Sequence, residues 1–122
     1  MKIIIKTKNL ELTESLSEYI EKKLFSLKKF LDILKKDEQR KTLSEVFVDI
    51  EKETKHHRKG DIFLAEALIN LPGKKIIAKA KQDDLYKSIN EIKTELAKEI
   101  KKYKLKMTEI KRREQRKVKN IN

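Results

Sequence analysis

The chain has 122 residues, with 32 Lys and Arg against 20 Asp and Glu, a formal net charge of +12, and 43% of its residues are charged. This length is typical of a single domain with one core. Because the sequence has no Cys, it excludes disulfides and thiolate zinc sites. It has no apolar run near the ~18 residues of a membrane span, which excludes a transmembrane helix, and no apolar signal-peptide core, so we expect a cytoplasmic protein.

The first third of the chain predicts a strand followed by one helix. Residues 2–8 alternate apolar and polar side chains with a period of two, which is typical of a half-buried strand. Thr13 is a suitable helix N-cap, and Glu14 in the first turn opposes the positive end of the helix dipole. The apolar residues that follow recur at steps of three and four, so they form the stripe of a continuous helix. They are Leu16, Ile20, Leu24, Leu27, Leu31 and Leu34.

Three more strands are predicted in the middle of the chain. After a polar loop, apolar and polar residues alternate over residues 46–51, 63–71 and 75–81. Gly60 and the Pro72-Gly73 dipeptide mark the turns between these strands. The last two strands carry small side chains on one face, and we expect a helix to approach closely there. These side chains are Ala65, Ala67, Ala78 and Ala80.

A second helix completes the pattern. It begins near Asp83 and Asp84, whose carboxylates can cap free amides. Its apolar stripe fades after Met107, where we expect fraying. The stripe contains Leu85, Ile89, Ile92, Leu96, Ile100 and Tyr103. The resulting order, β-α-β-β-β-α, predicts an α+β fold with both helices packed on one face of a four-stranded sheet, because each helix has one apolar stripe to bury.

The outward faces of both helices are basic. The lysines that lie away from the apolar stripes are Lys22, Lys29 and Lys36 on the first helix and Lys87, Lys98, Lys101 and Lys102 on the second. Three glutamates interleave with those of the second helix. If the helices lie side by side, the ammonium groups form one cationic surface, which predicts a polyanionic partner, steep salt dependence and little base specificity.

Residues 105–122 are the most densely basic segment, with seven basic and two acidic groups. Six of the cations fall within nine residues, namely Lys111, Arg112, Arg113, Arg116, Lys117 and Lys119. Nucleic acid is a better partner for them than an anionic membrane, because the segment lacks the broad apolar face of a membrane-surface helix. The alternative is a solvated tail that only aids solubility.

Candidate enzyme sites are weak. His56 and His57 are adjacent in an extended segment and would point in opposite directions, so they cannot share a metal without a third ligand. The chain has 2 glycines, too few for a phosphate-binding loop or a dinucleotide motif. A helix cap explains Asp83 and Asp84 better than a metal pair does. We therefore expect no catalytic residue, no metal and no cofactor.

Base stacking on aromatic side chains is a second route to RNA recognition. Aromatic residues make up only 6% of the chain. Phe63, Tyr86 and Tyr103 fit positions in the core or at its edge better than a stacking platform. We therefore expect charge rather than stacking to dominate any contact with nucleic acid.

Several short motifs occur in an order and spacing that a known family shares. They are KNLELTESL at residues 8–16, then residues 19–20, 28–32 and 55–60, the turn at residues 71–73, Asp84-Leu85-Tyr86, and KKYKLK at residues 101–106. Over residues 1–107 the chain thereby resembles the ribosome hibernation promoting factor and ribosome-associated inhibitor (protein Y) family. The resemblance implies a fold similar to a double-stranded-RNA-binding domain.

The resemblance also implies binding to the small ribosomal subunit, in the channel of messenger RNA and the transfer-RNA anticodon stems. The implicated rRNA-binding residues are Lys22, Lys29, Arg58, Lys59, Lys79, Lys87, Lys98, Lys101, Lys102 and Lys104. Residues 108–122 are expected to form a flexible basic tail. Its auxiliary contacts would be Lys111, Arg112, Arg113, Arg116 and Lys117. Because long members of the family add a dimerisation domain, the chain looks like a short form, and we expect a monomer away from the ribosome.

These inferences predict a non-enzymatic hibernation factor that occupies the decoding region and keeps ribosomes idle under stress or in stationary phase. Excluding messenger RNA and transfer RNA by bulk requires no catalytic group. An alternative function of the binding class is that of a constitutive rRNA-binding ribosomal protein or RNA chaperone. The alternative enzyme is an RNA-cleaving protein that uses His56 or His57.

Overall fold

The computed structural model describes residues 1–35, 45–53, 60–71 and 73–120. In chain order the elements are β1 (Lys2–Lys8), α1 (Glu14–Phe25), α2 (Lys28–Lys35), β2 (Glu45–Glu53), β3 (Ile62–Leu71), β4 (Lys74–Gln82) and α3 (Leu85–Asn120). The predicted α+β class and the four strands are confirmed. The predicted helix of the first third is instead two helices. Some predicted features lie outside the described residues. They are the polar loop before the second strand, Lys36 of the first helix, the His56-His57 pair, Arg58, Lys59 and Pro72 of the turn.

The four strands form one mixed sheet in the order β1-β2-β3-β4. β1 and β2 run parallel, with Ile5 opposite Val48, as a crossover through α1 and α2 requires. The other two pairs are antiparallel. The side chains on one face of the sheet are buried in the core, and they are Val46, Val48, Ile50, Ala65, Ala67, Ile69, Leu71, Ile76, Ala78 and Ala80.

α3 packs on the half of the sheet that carries small side chains. Ala65 lies opposite Ala80 and Ala67 opposite Ala78, and all four are buried. α3 contacts β3 and β4 directly, while α1 and α2 contact α3. Because alanine adds only a Cβ, the helix approaches this part of the sheet closely, as the sequence predicted.

Side-chain caps set the starts of α1 and α3. Thr13 Oγ1 accepts a hydrogen bond from the Leu16 N–H at 3.1 Å. Asp84 Oδ1 accepts from the N–H groups of Tyr86 at 2.8 Å and Lys87 at 3.1 Å. The caps predicted at Thr13 and Asp84 are confirmed, and each satisfies backbone donors that have no partner inside the helix. Asp83, the other predicted cap of α3, lies 4.0 Å from Lys87 Nζ instead.

The first apolar stripe is interrupted between α1 and α2. The Ser26 hydroxyl donates to the Lys23 carbonyl at 2.7 Å, and the Leu27 N–H donates to the Leu24 carbonyl at 2.9 Å. These bonds replace the regular helical pattern with a tighter turn. Leu24, Leu27 and Leu31 nevertheless stay buried. The break therefore changes the helix axis without moving the stripe off the core.

α3 extends well beyond the core. Its 36 residues correspond to a length of about 54 Å at 1.5 Å per residue. Tyr103 is buried, whereas Leu105 and Ile110 are exposed. The helix continues past Met107, where the sequence indicated fraying, and ends at Asn120. The flexibility of the segment over residues 108–122 stays a prediction.

The opposite face of the sheet is not covered by any helix of the described residues. Ile4, Phe47, Leu68 and Ile77 lie side by side across the four strands, and Ile77 is 52% exposed. We call this surface the open face. Among the described residues, none of the helices combines the length and the apolar content that a membrane crossing requires.

Candidate nucleic-acid interface

The α1–α2 segment and α3 lie side by side, and their facing side chains form a seam on the outer surface of the helix layer. At one end the Tyr19 and Tyr86 rings meet edge to face, with centroids 4.6 Å apart. Nearby, Asn90 Nδ2 donates a hydrogen bond to the Tyr19 hydroxyl at 3.1 Å. At the other end Lys101 Nζ lies 5.5 Å from the centre of the Phe30 ring.

Two predicted binding residues from different helices converge at that second end. Lys29 Nζ lies 5.1 Å from the centre of the Phe30 ring, which Lys101 also approaches. The negative face of an aromatic ring attracts each cation by ~0.5–1 kcal/mol at an exposed site. The ring thus holds two ammonium groups near each other at the surface. An approaching anion would screen their mutual repulsion and be attracted by both.

The other predicted helix lysines are also at the surface. Lys22 and Lys98 are exposed, and no carboxylate within the described ranges pairs with Lys98. Lys87 lies 4.0 Å from Asp83, and Lys102 lies 3.4 Å from Glu99. Lys104 is half-buried. Among the predicted lysines at residues 87–104 of α3, Lys98 and Lys101 are therefore the most available, and Lys102 is partly neutralised.

The glutamates of α3 lie mostly on another side of the helix. Glu91, Glu95 and Glu99 are spaced by four residues and share one stripe. Glu91 Oε2 accepts a hydrogen bond from Gln82 Nε2 of β4 at 2.7 Å, which places the start of this stripe next to the sheet edge. Lys101 lies on the side of the seam. Among the described residues, the predicted pairing of these glutamates with lysines of α3 occurs only between Lys102 and Glu99, and the seam keeps its positive charge.

The projecting end of α3 carries the cations that the sequence assigned to a tail. Lys111, Arg112, Arg113, Arg116 and Lys117 are exposed. Arg113 Nη2 pairs with Glu109 Oε1 at 2.8 Å. Because the segment is helical, its cations point to several sides of one rod rather than along an extended chain. Such a rod can follow the phosphates of a groove or channel.

Lys79 is exposed on the open face, because Ala78 and Ala80 on either side of it point into the core. It lies on the side of the sheet opposite the helix lysines, so the fold does not place it in the seam. The roles of all the predicted contact residues stay predictions. Among the described residues, no group of three or more His, Cys, Asp or Glu side chains could hold a metal ion.

The structure adds residues to this surface that sequence reasoning missed. Lys23 Nζ lies 5.5 Å from the centre of the Tyr19 ring. The spacing of four residues between Tyr19 and Lys23 was the feature of the sequence from which this contact could have been predicted. Tyr86 is 48% exposed, so it is more accessible than the predicted position in the core or at its edge implies.

The assignment of Tyr103 to the core is confirmed, since Tyr103 is 7% exposed, and Phe63 is half-buried.

Residues 3–108 match the family model described as "Sigma 54 modulation protein / S30EA ribosomal protein". The chain belongs to this family. The resemblance to hibernation factors and protein Y that the sequence motifs indicated is thereby confirmed. No curated protein matches this member of the S30EA family.

Two solved structures are similar to this S30EA family member. The N-terminal domain of Protein Y from Thermus thermophilus is 24% identical, with a TM-score of 0.65 over 84% of this chain and 99% of that one. A ribosomal subunit interface protein from Coxiella burnetii is 25% identical, with a TM-score of 0.67 over 86% of this chain and 99% of that one. At its level of identity, the Protein Y domain supports the fold alone.

Proposed function

We propose that this chain is a ribosome hibernation factor that binds the decoding region of the small subunit and keeps the ribosome idle under stress or in stationary phase. It would contact rRNA through the seam and exclude messenger RNA and transfer RNA by its bulk. It would act as a non-enzymatic, cytoplasmic protein that is monomeric away from the ribosome.

The observation that carries the proposal is the convergence of Lys29 and Lys101 at the half-buried Phe30 ring. Lys98, three residues before Lys101, is exposed and pairs with no carboxylate of the described residues. Two helices thereby present cations to a single polyanionic surface. Membership of a family of ribosome-associated proteins supports rRNA as that polyanion. The Coxiella burnetii relative is a protein of the ribosomal subunit interface, which supports a position between the subunits.

The physical basis of inhibition is occupancy. Each ammonium group that contacts a phosphate releases condensed counterions, so several contacts give high affinity with little dependence on base sequence. α3 spans about 54 Å at 1.5 Å per residue. A body of this size in the messenger-RNA channel leaves no room for a transfer-RNA anticodon stem. No bond is made or broken in this mechanism.

The test is chemical probing of purified small subunits with and without the chain, together with competition by messenger RNA and initiator transfer RNA. We expect protection of rRNA bases and phosphates in the decoding region, and mutual exclusion with both RNAs. Protection confined to another surface of the subunit, with messenger RNA still bound, would contradict the proposal.

The second candidate is a constitutive ribosomal protein or RNA chaperone. The description of the family as a ribosomal protein favours it. Sucrose-gradient fractions from growing and starved cells separate the two candidates. A hibernation factor accumulates on ribosomes in starved cells, whereas a constitutive protein shows equal occupancy in both.

A further inference from the structure

Tyr86 is an exposed aromatic residue in a fixed position. It lies in the first turn of α3 and is 48% exposed. Its N–H donates to the Asp84 carboxylate at 2.8 Å, so the helix cap holds its backbone. A side chain whose backbone is already held loses less entropy when it meets a ligand.

The contact with Tyr19 orients the Tyr86 ring without hiding it. The two ring planes are inclined by 83°, with centroids 4.6 Å apart. Because the rings are nearly perpendicular, Tyr19 covers at most one face of Tyr86. Asn90 Nδ2 holds the Tyr19 hydroxyl at 3.1 Å, which restrains the pair as a unit. The arrangement leaves a π-face of Tyr86 accessible and well oriented.

Cations suited to phosphate lie near this ring pair, and one of them, Lys87, is 4.0 Å from the Asp83 carboxylate. Lys23 Nζ lies 5.5 Å from the Tyr19 ring centre, and Lys87 follows Tyr86 directly in α3. The pair also belongs to the same seam as Lys29 and Lys101. An aromatic face beside ammonium groups matches a nucleotide, whose base is flat and apolar on its faces and whose phosphate is anionic.

We propose that the Tyr86 ring is a stacking platform for an unpaired nucleobase of RNA. The inference rests on the proposed function and adds the kind of RNA segment that the seam receives. A base inside a duplex is covered by its neighbours on both faces, so only an unpaired base can reach the ring. The phosphates on either side of that base would then meet the lysines of the seam. The seam accordingly prefers a single-stranded segment over a regular duplex.

The test compares two probes, a short single-stranded RNA of mixed sequence and the blunt-ended duplex of the same strand, with the full chain. Tyr86→Leu should weaken binding to the single strand at least about fivefold, the lower end of what one base stack contributes. Binding to the duplex should stay the same. The slope of affinity against salt concentration should also stay the same, because the substitution removes no charge.

Further variants separate stacking from a structural role of the ring. Tyr86→Phe keeps the ring and should restore the affinity that Tyr86→Leu loses. Phe25→Leu is the matched control, because Phe25 is 53% exposed and lies roughly 120° around α1 from Tyr19. Since the chain contains no Trp, Tyr86→Trp introduces a single fluorophore whose emission a stacked base quenches. Thermal unfolding of each variant checks that the fold is kept.

Three outcomes would overturn the inference. The first is an equal loss of affinity for both probes in Tyr86→Leu, and the second is no loss of affinity for the single strand in that variant. The third is unchanged Trp emission of Tyr86→Trp on saturation with single-stranded RNA. In these cases the Tyr19–Tyr86 contact only docks α1 on α3. If the native chain binds small subunits in these cases, the proposed function stands without the stacking site. If the native chain binds neither small subunits nor either RNA, the proposed function itself is wrong.

Discussion

Replacing Lys98 and Lys101 with Glu tests whether ribosome binding depends on the helix surface or on the net positive charge of the whole protein. Both residues are exposed on α3, and no carboxylate in the described part of the chain pairs with either. Lys102 is left unchanged because Glu99 already lies 3.4 Å from it. The matched control is Lys2→Glu with Lys75→Glu. It changes the net charge by the same amount at two exposed positions of the open face.

The expected magnitude follows from the number of contacts. A hydrogen bond to a charged group contributes about 1.5 kcal/mol at the low end, so losing two costs about 3 kcal/mol. This corresponds to a roughly 100-fold rise in the Kd for small subunits. The salt slope should fall by about 1.5, since each lost phosphate contact lowers it by roughly 0.7 to 0.9. Lys101→Glu also removes the contact with the Phe30 ring, which costs ~0.5–1 kcal/mol of stability.

The assay is co-sedimentation with purified small subunits, with the Kd measured by fluorescence anisotropy over a range of salt concentrations. The control variant should lose only the long-range part of the attraction and bind within a few-fold of the native chain at physiological salt, where exposed charges are screened beyond ~8 Å. Equal losses by the two variants would refute the assignment of binding to the helix surface. Net charge alone would then govern affinity.

Three further outcomes follow from the same structure. Deleting residues 108–122 should weaken subunit binding less than the double charge reversal does, and a larger loss in the same anisotropy assay would make the projecting helix the main contact. Thr13→Ala removes the cap of α1 and should lower the free energy of unfolding in urea by about 1 kcal/mol, whereas Ser15→Ala in the same turn should change it little. Ala67→Leu adds bulk at a fully buried position under α3 and should cost about 1–3 kcal/mol in the same unfolding experiment. An unchanged midpoint for Ala67→Leu would mean that α3 does not pack tightly on the sheet, and Asn70→Leu on the same strand is the exposed control.

The strands and the helix starts could be predicted from local sequence because their causes are local. Alternation at Val46, Val48 and Ile50 predicts a strand with one buried face, since successive side chains point to opposite sides. The Thr13 and Asp84 caps involve partners within three residues. The break at Ser26 was missed although its hydrogen bonds are equally local. A continuous helix and two helices both keep the leucines on the core side, so the apolar pattern does not distinguish them.

The sequence by itself determined that this protein is basic, that its lysines lie away from the apolar stripes, and that its fold is α+β. Only the tertiary structure decided which of those lysines share a surface. Lys29 and Lys101 are 72 positions apart in the chain, a separation that no periodicity relates, yet both approach Phe30 because α2 packs beside α3. Lys79 is equally basic but lies on the open face, and Tyr86 stays 48% exposed although Tyr19 meets it edge to face. Charge and periodicity are properties of the chain, whereas the neighbourhood of a side chain depends on how the helices pack on the sheet.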